Sequence, residues 1–493
     1  MPRSRVAEEL SLTPVNNVEE GYSVRAVLLS LLMLLAPVAG SSPAAAQEPP
    51  ARQSLPSASP FFGGMPSGTL TSEPIAISIL DAINRALEHN LGLLLSENGV
   101  GHADGTRLRA FSGLLPNVNG HIAETRQELN LAAYGFPLPT GVPSIVGPFN
   151  LFDARVSVSQ AIVDLHALND TRAERHNVAA AQHSYKSARD LVVLVAANAY
   201  LQALAAAARA DAARAQAETA QALYNQTVNL RQSGIVAGID VLRADVQLAG
   251  ERQRVTAAQN EFEKSKLQLA RIIGLPIGQP LTLISALPTV PTPDMPFEEA
   301  LERAYKSRPD YQAALERVKA AEAARAAIVG EALPSVRVNG DYGILGLTPA
   351  DSHSTFAVTG LVSVPIFQGG RTKGRLLEAD ADLRNRRAEA DDLRAGIYYD
   401  LKTAFLDLKA SGEQLEVATR ARDVAGTALT QARDRFAAGV ANNIEVIQAQ
   451  EAVSVANERY ITALYLNSVG KAVLARDLGT AEQAVRQYLG GAR

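Results

Sequence analysis

Two carboxylates sit at matched places in this 493-residue chain. Asp240 follows Gly234 by the same distance as Glu445 follows Gly439 (240 − 234 = 445 − 439 = 6). Gly234 and Gly439 suit helix C-caps. An acid shortly after such a glycine suits the N-cap or first turn of the next helix, where the helix dipole favours negative charge. Other residues with chemical potential are scattered. His176 and His183 fall about two helical turns apart, but two His alone make a poor metal site and read as solvated surface. No Ser/His/Asp order, phosphate loop or HExxH is present. The absence of Cys removes disulfides, thiolate metal sites and a lipid-bearing N-terminal Cys. The expectation is no enzyme, no cofactor and no metal site. A net charge of −4 leaves no basic footprint for nucleic acid.

The matched acids belong to a longer repeat. Gly234 aligns with Gly439, Asp240 with Glu445, Ala244 with Ala449 and Gly274 with Gly479, at a constant offset (439 − 234 = 205). A constant offset indicates a duplicated structural unit. Further upstream, AINRALEHN at 82–90 matches ALERAYKSR at 300–308, and Leu115-Pro116 matches Leu333-Pro334 (333 − 115 = 218). The difference (218 − 205 = 13) places about 13 extra residues between the front and back of the first copy.

The elements that position the acids follow from proline and glycine. Proline is absent between Pro148 and Pro276 and after Pro365. Residues 165–232 and 374–437 read as long helices, each roughly 100 Å at 1.5 Å per residue, far beyond the usual 11–12 residues. Glycine turns at 233–240 and 438–445 lead into shorter helices, 240–273 and 445–478. Val241, Leu248, Val255, Phe262 and Leu269 in the first, and Val446, Val453, Tyr460, Asn467 and Leu474 in the second, keep a seven-residue repeat that signals supercoiled packing. Residues 75–112 and 297–331 read as one front helix each. Segments 117–126 with 152–161, and 335–344 with 354–364, alternate as hairpins. Ala154, Val156 and Val158 oppose Asp153, Arg155, Ser157 and Ser159, and Val336, Val338, Tyr342 and Ile344 oppose Arg337, Asn339 and Asp341. About ten alternating residues is the length of a transmembrane strand. The first hairpin tip is long, with Phe136, Pro137, Pro139, Pro143 and Pro148; the second, 345–353, is short.

At the N-terminus, Arg25, the run AVLLSLLMLLAPVAG and Ala44-Ala45-Ala46 read as a secretory signal over 1–46, cut before Gln47. The run falls short of the ~20 residues of a membrane span, and no other such run is expected in the mature chain. Glu8, Glu9, Glu19 and Glu20 are wrong for a signal's start, so translation is expected to begin near Val24. A Pro/Gly/Ser-rich tail, 47–72, reads as flexible. The units are then 73–273 and 297–479, joined by a linker at 274–296 and followed by a tail at 480–493.

One unit is helix, hairpin, long helix, turn, helix, so the fold class is mostly α with a small β part. Two units supply four strands, too few to close a membrane barrel. Three copies give twelve. Over residues 73–480 the chain resembles the TolC family of outer-membrane efflux proteins. The resemblance is carried by Gly234-Ile235-Val236-Ala237-Gly238-Ile239-Asp240-Val241-Leu242 and Gly439-Val440-Ala441-Asn442-Asn443-Ile444-Glu445-Val446-Ile447. Leu115-Pro116, Leu333-Pro334 and Val364-Pro365-Ile366-Phe367-Gln368-Gly369-Gly370 support it. It implies a homotrimer in the outer membrane, with a twelve-stranded barrel in lipid continuing into a periplasmic α-helical tunnel. It implies a periplasmic adaptor and an inner-membrane pump as partners. It places Glu445, Gln448 and Phe436 at a periplasmic gate, with Ile239 and Asp240 as first-copy counterparts. Gln448 and Ala441 depart from the family pattern, which prefers a second acid and, in some members, a basic residue there. Adaptor docking falls on Gly234, Ile235, Gly439 and Val440. The implied role is a passive conduit for small molecules such as drugs. Protein secretion, metal efflux and a non-channel coiled-coil role in the periplasm remain alternatives.

Overall fold

A computed structural model describes residues 59–135, 141, 143–285, 287–288 and 295–488. The signal segment, residues 47–58 of the 47–72 tail, Phe136, Pro137 and Pro139 of the hairpin tip, and parts of the linker and C-terminal tail lie outside the described residues. Each front segment is two helices rather than one. α1 (Ile79–His89) and α2 (Leu91–Ser112) meet at Asn90, and α5 (Phe297–Ser307) and α6 (Pro309–Gly330) meet at Arg308. The buried Asn90 side chain accepts from the Gly92 and Leu93 N–H groups at 3.0 and 3.4 Å and donates to Phe61 O at 2.7 Å. That starts a new helix at Leu91. Pro309, which lacks an N–H, forces the second break and suits a first helical position. The linker also carries structure. β4 (Leu281–Leu283) pairs in parallel with β1 (Ile75–Ile77), with Ile75 opposite Leu281. The C-terminal segment holds α9 (Ala481–Tyr488).

Four strands form one antiparallel sheet in the order β2 (Asn117–Asn130), β3 (Ile145–Val163), β5 (Ser335–Gly346), β6 (Ser352–Ser363). The first two are longer than their alternating cores. Register pairs His121 with Arg155, Arg155 with Gly343, and Gly343 with Thr355. One face exposes Val118, Ile122, Val156, Tyr342, Phe356, Val358 and Val362. The other carries polar partners. Arg155 reaches Asp153 at 2.6 Å and Asp341 at 3.2 Å, and Ser159 donates to Asn339 at 2.7 Å. Gly343 makes room for this: a Cβ there would lie 2.3 Å from that of Arg155. Within one chain the outer edges of β2 and β6 are unpaired.

Two long helices, α3 (Leu165–Gln232, 68 residues) and α7 (Arg371–Ala437, 67 residues), are each followed by a helix of 35 residues, α4 (Gly238–Ile272) and α8 (Asn443–Asp477). The largest core gathers on α3, where Val192, Val193, Ala196, Ala197, Tyr200 and Leu201 are buried against α1, the ends of α4 and β4, and α8. Tyr200 donates its hydroxyl to Ile77 O at 2.8 Å, which ties β1 to the helix. By length and composition α3 is apolar enough to cross a membrane, contrary to the expectation of no further such run, but 67% of that window is buried inside the chain. Its apolarity serves helix packing. Val241, Leu248, Leu269, Val446, Asn467 and Leu474 are buried, and Asn467 donates to Ser411 at 3.3 Å. A second core joins Ala300 and Ala304 to Ile397 and Leu401.

Candidate functional site

The two helix turns are built alike. Gly234 and Gly439 have φ of 77° and 73°, a left-handed conformation that glycine adopts without a Cβ penalty. The Ile235 N–H donates back to Leu230 O at 2.9 Å, and the Val440 N–H to Arg435 O at 3.0 Å. These are the long-range bonds of a Schellman C-cap. Beyond the turn the two copies differ. α8 starts on a true N-cap, with Asn442 accepting from the Glu445 N–H at 3.1 Å. α4 starts at Ala237, which offers no side-chain cap. Asp240 therefore sits in the first helical turn, not at the N-cap, and pairs with Arg243 at 3.4 Å.

Glu445 pairs with Arg435 at 3.0 Å across the turn from the end of α7. Both side chains are more than a third exposed, so the pair contributes at most about 1 kcal/mol. Its weight lies in placing a cation beside each acid. Phe436, expected among the gate residues, is 4% exposed. It packs with Leu223, Leu429, Ala432 and Val446, joining α3, α7 and α8. Within the chain it is a core residue and presents little surface to a pore. Gln448 is exposed beside the groove between α7 and α8. Ile235, Ile239 and Val440 are exposed, and Ile239, Leu242, Val246, Ile444 and Ile447 line a shallow apolar groove between the starts of α4 and α8.

Three groups near the tips escaped sequence reasoning. Asn443, almost fully buried, donates to Asp240 O at 3.1 Å and so bonds one tip to the other. Its first-copy counterpart is Gly238 (443 − 238 = 205), and this departure from the repeat was the available signal. Gln450 on α8 and Glu251 on α4 are buried with side-chain atoms that have no partner among the described residues. Burial pushes the Glu251 carboxyl up, against the pull of Arg254. Further along, His176 bonds Glu316 of α6 at 2.7 Å while its side chain stays about a third exposed. Among the described residues no group of three or more His, Asp or Glu is gathered to hold a metal.

Long paired helices end in capped turns and join a four-stranded sheet that is apolar on one exposed face and polar on the other. The chain belongs to the outer membrane efflux protein family, whose model matches residues 82–275 and 300–491. It is 26% identical over 368 residues to the toluene efflux pump outer membrane protein TtgF of Pseudomonas putida, covering 71% of this chain and 72% of that one. The same figures hold for the probable efflux pump outer membrane protein SepC of another Pseudomonas putida strain. In fold it is similar to the Campylobacter jejuni CmeC outer membrane channel, with a TM-score of 0.73 at 17% identity over 82% of this chain and 86% of that one. It is an outer-membrane efflux channel protein that extends into the periplasm.

Proposed function

We propose that the chain acts as a homotrimer forming the passive exit duct of a tripartite pump. The observation that carries this reading is the four-stranded sheet with an exposed apolar face and two free edges. An open edge is not tolerated in lipid. Joining β6 of one chain to β2 of the next closes twelve strands, turns the apolar face to lipid and leaves Arg155, Asp153 and Asp341 facing the lumen. The recurrence of helix lengths in the two halves supports a duplicated unit, and hence pseudo-sixfold order of twelve helices in the tunnel. The residues involved, Gly234-Ile235 and Gly439-Val440, form the surfaces for a periplasmic adaptor, and an inner-membrane pump supplies the energy. The cargo is small and apolar, a reading that leans on the toluene efflux function named for TtgF.

The gate is formed by Glu445 and Gln448 of α8, with Asp240 and Ile239 of α4 behind them. Three Glu445 carboxylates around one axis favour cations, and Arg435 offsets each of them. Single-channel recording on trimers in planar bilayers tests this. Glu445→Ala raises conductance and lowers cation selectivity, whereas Arg435→Ala raises cation selectivity. Identical reversal potentials for both variants and the parent would remove the pair from the gate. For docking, a photoreactive residue in place of Ile235 or Val440 captures one periplasmic adaptor, and capture of no periplasmic protein counts against the tips as docking sites.

A further inference from the structure

The connection between β6 and α7, residues 364–370, carries the two most exposed large hydrophobic side chains among the described residues, Ile366 at 95% and Phe367 at 88%. The connection is held in shape. Gly369 and Gly370 take φ of 59° and 87°. Gln368 accepts from the Arg371 N–H at 3.1 Å, from the Thr372 hydroxyl at 2.6 Å and from the Arg371 guanidinium at 3.2 Å. A fixed loop with two bare apolar side chains calls for something to cover them.

Its surroundings identify the cover. β6 ends at Ser363 on the helical side of the sheet, and Val364 continues the exposed apolar row of Phe356, Val358 and Val362. Directly past the loop, α7 opens with exposed Arg371, Lys373 and Arg375, and no acid occurs before Glu378. Arg375 is engaged with Glu331, the residue that caps the end of α6; Lys373 has no ion-pair partner among the described residues. Apolar side chains beside a basic turn, at the end of a lipid-facing strand, fit the interfacial zone of a bilayer. The first copy offers an internal comparison. At the end of β3, Ile162 and Val163 stay 58% and 44% exposed, although Gly330 at the end of α6 packs directly on Leu165 and His166 beside them. A neighbouring helix at this level leaves the apolar row largely open.

We propose that residues 364–373 form a lipid anchor at the periplasmic rim of the barrel. Ile366 and Phe367 lie among acyl chains of the inner leaflet, and Arg371 and Lys373 hold an anionic phosphate headgroup. The proposal rests on the trimeric barrel reading, which puts this end of the sheet at the membrane surface.

The chain has no Trp, so a single introduced Trp is an unambiguous reporter. Trimers carrying Phe367→Trp, with Ile366→Trp as a second reporter should the first not assemble, are reconstituted in vesicles containing acyl-brominated phospholipid. Phe356→Trp, in the middle of the apolar row, marks the membrane interior. The anchor predicts that Trp at 367 loses fluorescence to brominated lipid, as Trp at 356 does. It also predicts a greater loss with phosphatidylglycerol than with phosphatidylcholine, a difference removed by Arg371→Gln with Lys373→Gln. Quenching at 356 but not at 366 or 367 would overturn the anchor and assign the loop to a second copy of the chain. Quenching at none of them would overturn the barrel reading and the anchor with it. Equal quenching by the two lipids would overturn the headgroup assignment.

Discussion

Asp190 on α3 lies beside Glu482 of α9, with Arg476 and Asp310 close by. Burial, reinforced by the Glu482 charge, pushes its carboxyl up to about 6 from an ordinary 3.8. The folded chain thus binds this proton more tightly than the unfolded chain does. The stability this preference contributes is complete below about pH 4 and is lost as pH rises through about 6. Asp190→Asn, which mimics the neutral acid, is expected to raise the thermal midpoint of purified trimers at neutral pH and to leave it unchanged near pH 4. An equal shift at both pH values would show that charge is not the cause. Arg189 reaches both Glu482 oxygens at 3.0 Å, so Glu482 stays anchored while Asp190 titrates. A second knot surrounds Arg308, which is 3% exposed and bonds Asp310 at 2.7 Å and Asp400 at 3.3 Å, with Asp477 at 3.8 Å. Neither knot was legible in the sequence, because its members come from helices far apart in the chain and no local spacing announces them. The tip acids were legible because glycine, acid and helix start lie within one turn of each other.

At the scale of elements, the glycines that end α3, α4, α7 and α8 share a left-handed backbone, with φ between 63° and 77° at Gly234, Gly274, Gly439 and Gly479. Their surroundings differ. A Cβ at Gly234 or Gly439 meets nothing within 4 Å, whereas at Gly274 it would lie 2.6 Å from Met65 O and 2.7 Å from the His89 Cβ. Gly234→Ala therefore costs only the conformational strain, about 1–2 kcal/mol. Gly274→Ala adds a clash with backbone and is expected to lower the thermal midpoint distinctly further; equal losses would show that the contact yields freely. Phe436→Ala, which empties the core joining three helices at the tip, is expected to cost about 3–5 kcal/mol locally. It should raise amide hydrogen exchange in residues 429–450 while leaving exchange in the sheet unchanged; unaltered exchange at the tip would contradict its packing role. Helix lengths and turns were readable because proline and glycine punctuate them. The break at Asn90 was not, since it rests on side-chain cap bonds that local spacing does not announce; the break at Arg308 carried its signal in Pro309. The strand ends were blurred for the opposite reason: β2 and β3 outrun their alternating segments, extending on ladder hydrogen bonds that leave no mark on side-chain pattern.

At the scale of the whole molecule, the proposed closure makes a register prediction that one chain already contains. Val158-Ser159 and Ile162 at the end of β3 recur as Val362-Ser363 and Ile366 (362 − 158 = 204), while the β2 and β5 starts keep the front offset (333 − 115 = 218). Within the chain, β3 meets β5 with Arg155 opposite Gly343. Applying the two offsets to that pair (155 + 204 = 359; 343 − 218 = 125) places Thr359 of β6 opposite Thr125 of β2 in the next copy. Both sit on the polar face, as the period of two in a strand requires. Opposed residues in an antiparallel pair bring their Cα atoms to about 4.5–5.5 Å, within disulfide range. The chain has no Cys of its own, so Thr125→Cys with Thr359→Cys is a clean pair. Mild oxidation of outer membranes is expected to produce a covalent dimer and trimer ladder that collapses on reduction, with either single variant giving no trimer. Moving one cysteine to Glu124 or Val358 turns it to the lipid face and should abolish the ladder. Efficient crosslinking from those positions instead would mean that the joint between chains is not the copy of the joint within one.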